Sequence, residues 1–231
     1  MGNLVFNSMT TNFKIHTECF VKEGWQLLKY LAPILIPYHA ILAGGTALAL
    51  HLGHRLSIDL DFFTPLEFDS ETLIKNLKKY EFKLEIISES PGTFLATMND
   101  IKCSLFHYPY PFLDQIKTYQ KIKISGILDI ATMKLIAIHQ RGTKRDFVDL
   151  YFILKSIPFN RIASYAVRRF GKERINPFQI GKSLVYFSDA DADPDPNYKN
   201  KCHTKWETIK EFFREHIRQF VWDLESEIKN F

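Results

Sequence analysis

The residues best suited to chemistry are two aspartates one position apart, in the run Ser57-Ile58-Asp59-Leu60-Asp61-Phe62-Phe63. Alternating apolar and acidic positions predict a strand from Ile58 to Phe63. In a strand, Asp59 and Asp61 project from one face while Ile58, Leu60 and Phe62 fill the other. Two carboxylates held this close repel by roughly 1 kcal/mol in water, and by more at a lower effective dielectric. Either one pKa rises or a cation sits between them. Oxygen ligands favour a hard ion, Mg²⁺ or Mn²⁺, of the kind shared with substrate phosphates. The competing reading of D-x-D alone is a solvated sheet face that binds nothing.

Upstream, Gly44-Gly45-Thr46 closes a short apolar strand, Ala40 to Ala43, and opens a helical stretch through Leu50. The glycines allow a phosphate to approach the backbone at the positive end of a helix, and Thr46 is placed to cap it. A P-loop is excluded, because the G-K-[ST] ending is missing. Downstream, Lys134 is the one charged residue between Asp129 and Arg141, with Ile130 and Ile138 a helical turn to either side. Such a lysine either snorkels to the surface or finds an anion, and a nucleotide phosphate is one. Asp146 and Asp149 share one flank of the next helix, beside the stripe Phe147, Leu150, Tyr151 and Leu154. They either line a site or serve structure, by capping or by pairing with Lys144 or Arg145.

These side chains need a scaffold, and its character changes near residue 125. Before that point short β-rich runs alternate with helical ones; beyond it nearly everything has helical spacing. A helix or helix pair from Phe13 to Tyr38 is broken by Pro33 and Pro37, and a charged helix runs from Ser70 to Tyr80. Strands are expected at Phe82–Ser88, Thr93–Met98 and Ile101–Phe106, with Asn99-Asp100 as a hairpin turn, and one more at Tyr119–Ile124. The stretch Tyr108-Pro109-Tyr110-Pro111 reads as a stiff loop. Helices follow at 129–140, 145–156, 159–170, 177–187 and 205–228. Asn176-Pro177 is a cap followed by a first-turn proline, and Thr204 to Glu207 has capping-box spacing.

Composition bounds the class. The 231 residues carry 30 Lys+Arg against 26 Asp+Glu, a net charge of +4 that permits a nucleic-acid partner without arguing for one. Cys19, Cys103 and Cys202 are far apart and form no C-x-x-C pair, which argues against a disulfide framework or a cysteine-rich zinc site. Reduced thiols suit a cytoplasmic protein. The longest apolar run, Tyr30 to Tyr38, is too short for a bilayer, and the start of the chain lacks a signal-peptide core. No membrane partner is expected.

Two long stretches then carry a resemblance. Gly44-Gly45-Thr46-Ala47-Leu48-Ala49-Leu50 with Arg55-Leu56-Ser57-Ile58-Asp59-Leu60-Asp61-Phe62-Phe63 is the first. Asp129-Ile130-Ala131-Thr132-Met133-Lys134-Leu135 with Arg141 to Tyr151 is the second. Together they closely resemble the AbiEii/AbiGii-type toxin nucleotidyltransferases of the DNA polymerase β-like superfamily. The resemblance implies an α+β fold: a small mixed sheet with flanking helices in residues 1–125, then a helical subdomain in 126–231 that completes the nucleotide site. It implies transfer of NMP from an NTP to an acceptor hydroxyl, with tRNA or another RNA as an acceptor seen among relatives, and a cognate antitoxin as partner. Asp59 and Asp61 would ligate the metal; Gly44, Gly45, Thr46, Ser57 and Lys134 would hold the NTP. Asp149 matches the family's downstream aspartate, which orders the site or assists proton removal. Where many relatives place a third acid on a later strand, this chain has Ser104. That departure keeps open a catalytically silent fold that binds RNA or protein, and a phosphotransferase moving the γ-phosphoryl group is a third alternative.

Other signals carry less. His51 and His54 lack zinc-site partners in the sequence and read as helix-end histidines. Asp189 to Asp195 fails the EF-hand pattern at Pro194 and Asn200 and reads as an acidic loop. The basic clusters at 75–79 and 168–174 suit solvated helix faces about as well as RNA contacts.

Overall fold

The computed structural model describes residues 14–231, so Phe13 and the start of the expected first helix lie outside the described residues. A mixed sheet of seven strands forms the centre in the order β3-β4-β5-β2-β1-β7-β6. Its strands are β1 (Ile41–Leu42), β2 (Leu60–Thr64), β3 (Leu84–Ser90), β4 (Thr93–Met98), β5 (Ile101–His107), β6 (Lys117–Tyr119) and β7 (Ile122–Ile124). Strands β2 and β5 run parallel with Asp61 opposite Ser104, and β1 pairs antiparallel with β2 and parallel with β7. The protein is thus α+β, as expected.

Turn chemistry explains much of the sheet. Asn99 and Asp100 both take positive φ, as a two-residue hairpin between β4 and β5 requires, and Asn tolerates that region best after glycine. Gln120 and Lys121 do the same. The expected single strand over Tyr119–Ile124 is therefore a hairpin of two, β6 and β7. Neither residue is a typical turn former, which hid the turn.

The helices are α1 (Lys22–Leu35), α2 (Gly44–Leu52), α3 (Ser70–Leu77), α4 (Ile127–Gln140), α5 (Lys144–Leu154), α6 (Phe159–Phe170), α7 (Pro177–Leu184), α8 (Ser188–Asp191) and α9 (Trp206–Asn230). Pro33 does not break α1; it lies in the last turn, and Pro37 falls in the short 3₁₀ turn that follows. Asp69 caps α3 by accepting from Glu71 N and Thr72 N, and Asn176 caps α7 through Gln179 N. The expected capping box at α9 does not form: Thr204 donates instead to the Cys202 carbonyl, and Glu207 pairs with Lys210. The acidic stretch 189–195 is partly helical, through α8, and its carboxylates take up Lys144, Trp206 and Lys210.

One hydrophobic cluster runs from the sheet into the C-terminal helices. Helix α2 packs on β2 and also on α4 and α5, while α6 and α7 pack on α9. The helical half is thereby fixed, through α2, against the central strand of the sheet that carries the aspartates.

Candidate functional site

Gly44 starts α2 directly after β1, with φ of +63°, where a side chain is strained. A Cβ there would also stand 2.9 Å from Asp61 Oδ2, so glycine lets the helix start lie against that carboxylate. At Gly45 a Cβ would collide with the Arg55 guanidinium. Thr46 is not the helix cap, because α2 begins two residues earlier. Its hydroxyl donates to the Asp59 carbonyl and accepts from Ser57 Oγ at 2.8 Å, tying the segment before β2 to the first turn of α2.

That segment departs from the expected strand. Regular pairing starts at Leu60, and Ile58 is 51% exposed rather than on the core face. Residues 55–57 are held by isolated bridges, Phe20 with Ser57 and Arg55 with Tyr198. Asp59 thus sits at the mouth of β2 and Asp61 one step inside it. Burial, then the Asp61 charge, raises the Asp59 pKa above the ordinary carboxylate value, although Arg145 and Lys102 pull it down. Ser104, in register on β5, donates to Asp61 Oδ1 at 2.8 Å. The strand expected to carry a third acid is in place, and it offers a hydroxyl.

The helical residues form a second cluster beside the first. Asp149 on α5 is fully buried and accepts a two-pronged contact from Arg55, Nε to Oδ1 at 2.7 Å and Nη2 to Oδ2 at 2.8 Å. His54 Nε2 lies 2.9 Å from the same Oδ1, and Lys134 Nζ lies 2.6 Å from Oδ2. Lys134 also donates to Asp146 Oδ1 at 2.8 Å, and Asp146 Oδ2 takes Thr143 and Arg141. Burial alone would raise the Asp149 pKa, but Arg55 and Lys134 outweigh it and hold it well below the usual value. Burial pulls Lys134 down, yet Asp149 and Asp146 leave it above an ordinary lysine. Both groups are therefore charged at neutral pH.

Several expectations change here. Asp146 and Asp149 pair with Lys134, Arg141 and Arg55, whereas Lys144, buried, turns to Asp193 and Asp195. Asp149 has no exposed oxygen, and its carboxylate is taken up by Arg55, Lys134 and His54. His54 is not an idle helix-end residue but part of this cluster, and burial lowers its pKa so that it is neutral. Sequence reasoning gave no role to Arg55, though an arginine just before the D-x-D run was a visible signal.

The two clusters meet in one cleft of about 640 Å³, lined by Gly44, Gly45, Asp61, Lys134, Arg141 and Asp146 at its polar end. Thr46, Ser57 and Asp149 stand behind that lining; Asp59 is at the adjacent strand mouth. The donor set fits a metal that arrives with its substrate. Asp59 lies near enough to Asp61 for that charge to add to burial in raising its pKa, which a cation would relieve, and a glycine clears the approach to Asp61. Among the described residues no group of three or more His, Cys, Asp or Glu could hold a metal by itself, so phosphates and water would fill the remaining positions.

Comparison with known proteins agrees with this geometry. Residues 26–93 and 81–226 match the family model described as nucleotidyl transferase AbiEii toxin, type IV TA system. The protein aq_aa25 of Aquifex aeolicus (strain VF5) is 34% identical over 204 residues, covering 87% of this chain and 97% of its own. Among solved structures, JHP933 from Helicobacter pylori is similar at 19% identity and a TM-score of 0.53, covering 90% of this chain and 94% of that one. The nucleotidyltransferase toxin MenT4 from Mycobacterium tuberculosis H37Rv is similar at 14% identity and a TM-score of 0.50, covering 88% and 90%.

Proposed function

The chain belongs to the AbiEii family of nucleotidyl transferase toxins and is a nucleotidyltransferase; from that premise we propose a metal-dependent transfer of NMP from an NTP to an acceptor hydroxyl. The observation that carries this reading is the meeting, in one cleft, of Asp61, the glycine start of α2 and the ammonium of Lys134. Asp59 and Asp61 would hold Mg²⁺ or Mn²⁺, which when bound neutralises phosphate charge and stabilises leaving pyrophosphate. Backbone N–H groups at Gly44 and Gly45 and the ammonium of Lys134, which reaches the cleft lining, would meet the phosphates. Thr46 and Ser57 keep Asp59 in place through the hydroxyl chain described above.

The acceptor oxygen bonds the α-phosphorus as the bond to the β-phosphate breaks, and the hydroxyl proton leaves through water at the open mouth, since Ser104 is no base. An RNA end such as that of tRNA suits the acceptor role by family analogy, and a cognate antitoxin suits the family's type IV description. Residues 1–125 would act as the catalytic layer and 126–231 as the half that closes the nucleotide site. No described helix is long and apolar enough to cross a membrane, and a cytoplasmic setting fits an RNA acceptor.

The test is parallel incubation with α- and γ-labelled NTP, Mg²⁺ and total RNA. Stable transfer of α-label is expected. Transfer of γ-label alone would make the protein a phosphotransferase instead.

A further inference from the structure

The opposite end of the cleft is aromatic. Phe63 and Phe106 face each other across β2 and β5, two residues beyond Asp61 and Ser104 and so on the same sheet face. Strand geometry sets the aromatic pair roughly 7 Å from the carboxylate. The surface continues as Tyr108, 5.3 Å from Phe63, then Tyr110, 5.1 Å from Tyr108, then Phe170, 5.0 Å from Tyr110. All five rings line the cleft together with Met133, Ile136 and Ala137 of α4. A polar end for phosphates continued by aromatic rings and apolar side chains of α4 has the layout of a nucleotide.

The loop bearing the tyrosines is held by two arginines, Arg169 behind the rings and Arg174 at the cleft lining. Buried Arg169 donates through Nε to the Pro111 carbonyl at 2.8 Å and through Nη1 to the Asp129 carbonyl at 2.7 Å. Its guanidinium lies 5.1 Å from the Tyr108 ring centre and 4.8 Å from that of Phe112. Asp129 accepts from Leu113 N and Asp114 N, and Arg174 donates to the Tyr110 hydroxyl. Arg169 of the 168–174 basic cluster is thus structural: it is buried and clamps a proline-stiffened aromatic loop instead of facing solvent.

We propose that Tyr108 and Tyr110 form the nucleobase subsite of the incoming NTP, with Arg169 as the positioning residue that holds their loop; this rests on the nucleotidyl-transfer reading. The base is bound by its face. Stacking on an aromatic side chain is sequence-tolerant, and its loss weakens binding by about 5- to 150-fold per base.

The test is equilibrium binding, with Mg²⁺, of each of the four NTPs and of inorganic tripolyphosphate. The wild-type protein is expected to bind its best NTP tighter than tripolyphosphate. Tyr108→Ala and Tyr110→Ala should each weaken that NTP by the factor above and leave tripolyphosphate affinity unchanged. Tyr110→Phe, which keeps the ring, should retain NTP affinity. Arg169→Lys should raise the KM for NTP with kcat little altered. Unchanged NTP affinity in both alanine variants, or an equal loss of NTP and tripolyphosphate, would overturn the subsite. So would a loss confined to the acceptor KM, which would seat the acceptor's base on these rings. If the wild-type protein binds neither ligand, the nucleotide reading fails and the subsite with it.

Discussion

The site holds two acidic pairs that read alike in the sequence and behave in opposite ways in the fold. Asp146 and Asp149 are buried and meet Lys134, Arg55 and Arg141 within hydrogen-bonding distance. Asp59 and Asp61 lie at a strand mouth with only partial shielding, and Ser104 is the one side chain that donates to either among the described residues. The first pair is electrically complete, and its carboxylates are lowered in pKa. The second is incomplete, and Asp59 is raised. An acid whose charge the protein has already met positions its neighbours. An acid whose charge is left over is available for a cation and for chemistry.

The largest expected effect comes from breaking the complete pair. Asp149→Ala leaves Arg55 and Lys134 buried without their shared anion and should cost about 3–5 kcal/mol of stability, read from denaturant midpoints. Asp59→Ala removes a carboxylate that repels its neighbour and should leave the midpoint unchanged or raise it. A comparable loss in both variants would erase the distinction.

Acid titration comes next. Native His54 is kept neutral by burial, so below about pH 6.5 the unfolded chain takes up the proton first and stability falls, by at most about 1.4 kcal/mol per pH unit. His51, also lowered by burial, adds to the same slope. Asp146 and Asp149 act in a separate window. Their folded values lie below the unfolded ones, so their contribution is full at neutral pH and is lost below about pH 4. His54→Gln should flatten the upper step and leave the lower one. Stability that stays level from pH 7 to 5 would contradict the neutral assignment.

The smallest effect sharpens the incomplete pair. Ser104→Ala removes the hydrogen bond to Asp61 but leaves that carboxylate accessible to water and to a cation. NMP transfer should fall by less than about tenfold, with a modestly higher Mg²⁺ requirement. A loss as deep as that of Asp61→Ala would make Ser104 part of the catalytic machinery.

The sequence made the incomplete pair easy to find, because a two-residue period and a double glycine are local signals. Lys134 was also legible as a buried cation, since an isolated charge in an apolar helix must be met. What met it was not legible. His54 and Arg55 stand more than 90 residues from Asp149 along the chain, and only the packing of α2 on α4 and α5 brings them together. The same limit hid Arg169, which looked like one of several surface cations until α6 turned it toward the Tyr108–Phe112 loop. The missed hairpin at Gln120-Lys121 has a different cause: the fold imposes positive φ on residues that do not advertise it.

The proposed role of Asp59 and Asp61 is to hold the cation on which transfer depends. The decisive measurement is the Mg²⁺ dependence of α-label transfer by the wild-type protein and by Asp59→Asn and Asp61→Asn, with unfolding curves recorded on the same samples. The account predicts wild-type transfer that rises with Mg²⁺ and stops on chelation. It predicts variants that unfold at or above the wild-type midpoint yet transfer on the order of 100- to 1,000-fold more slowly. Undiminished transfer by both well-folded variants, or wild-type transfer that persists under chelation, would contradict it.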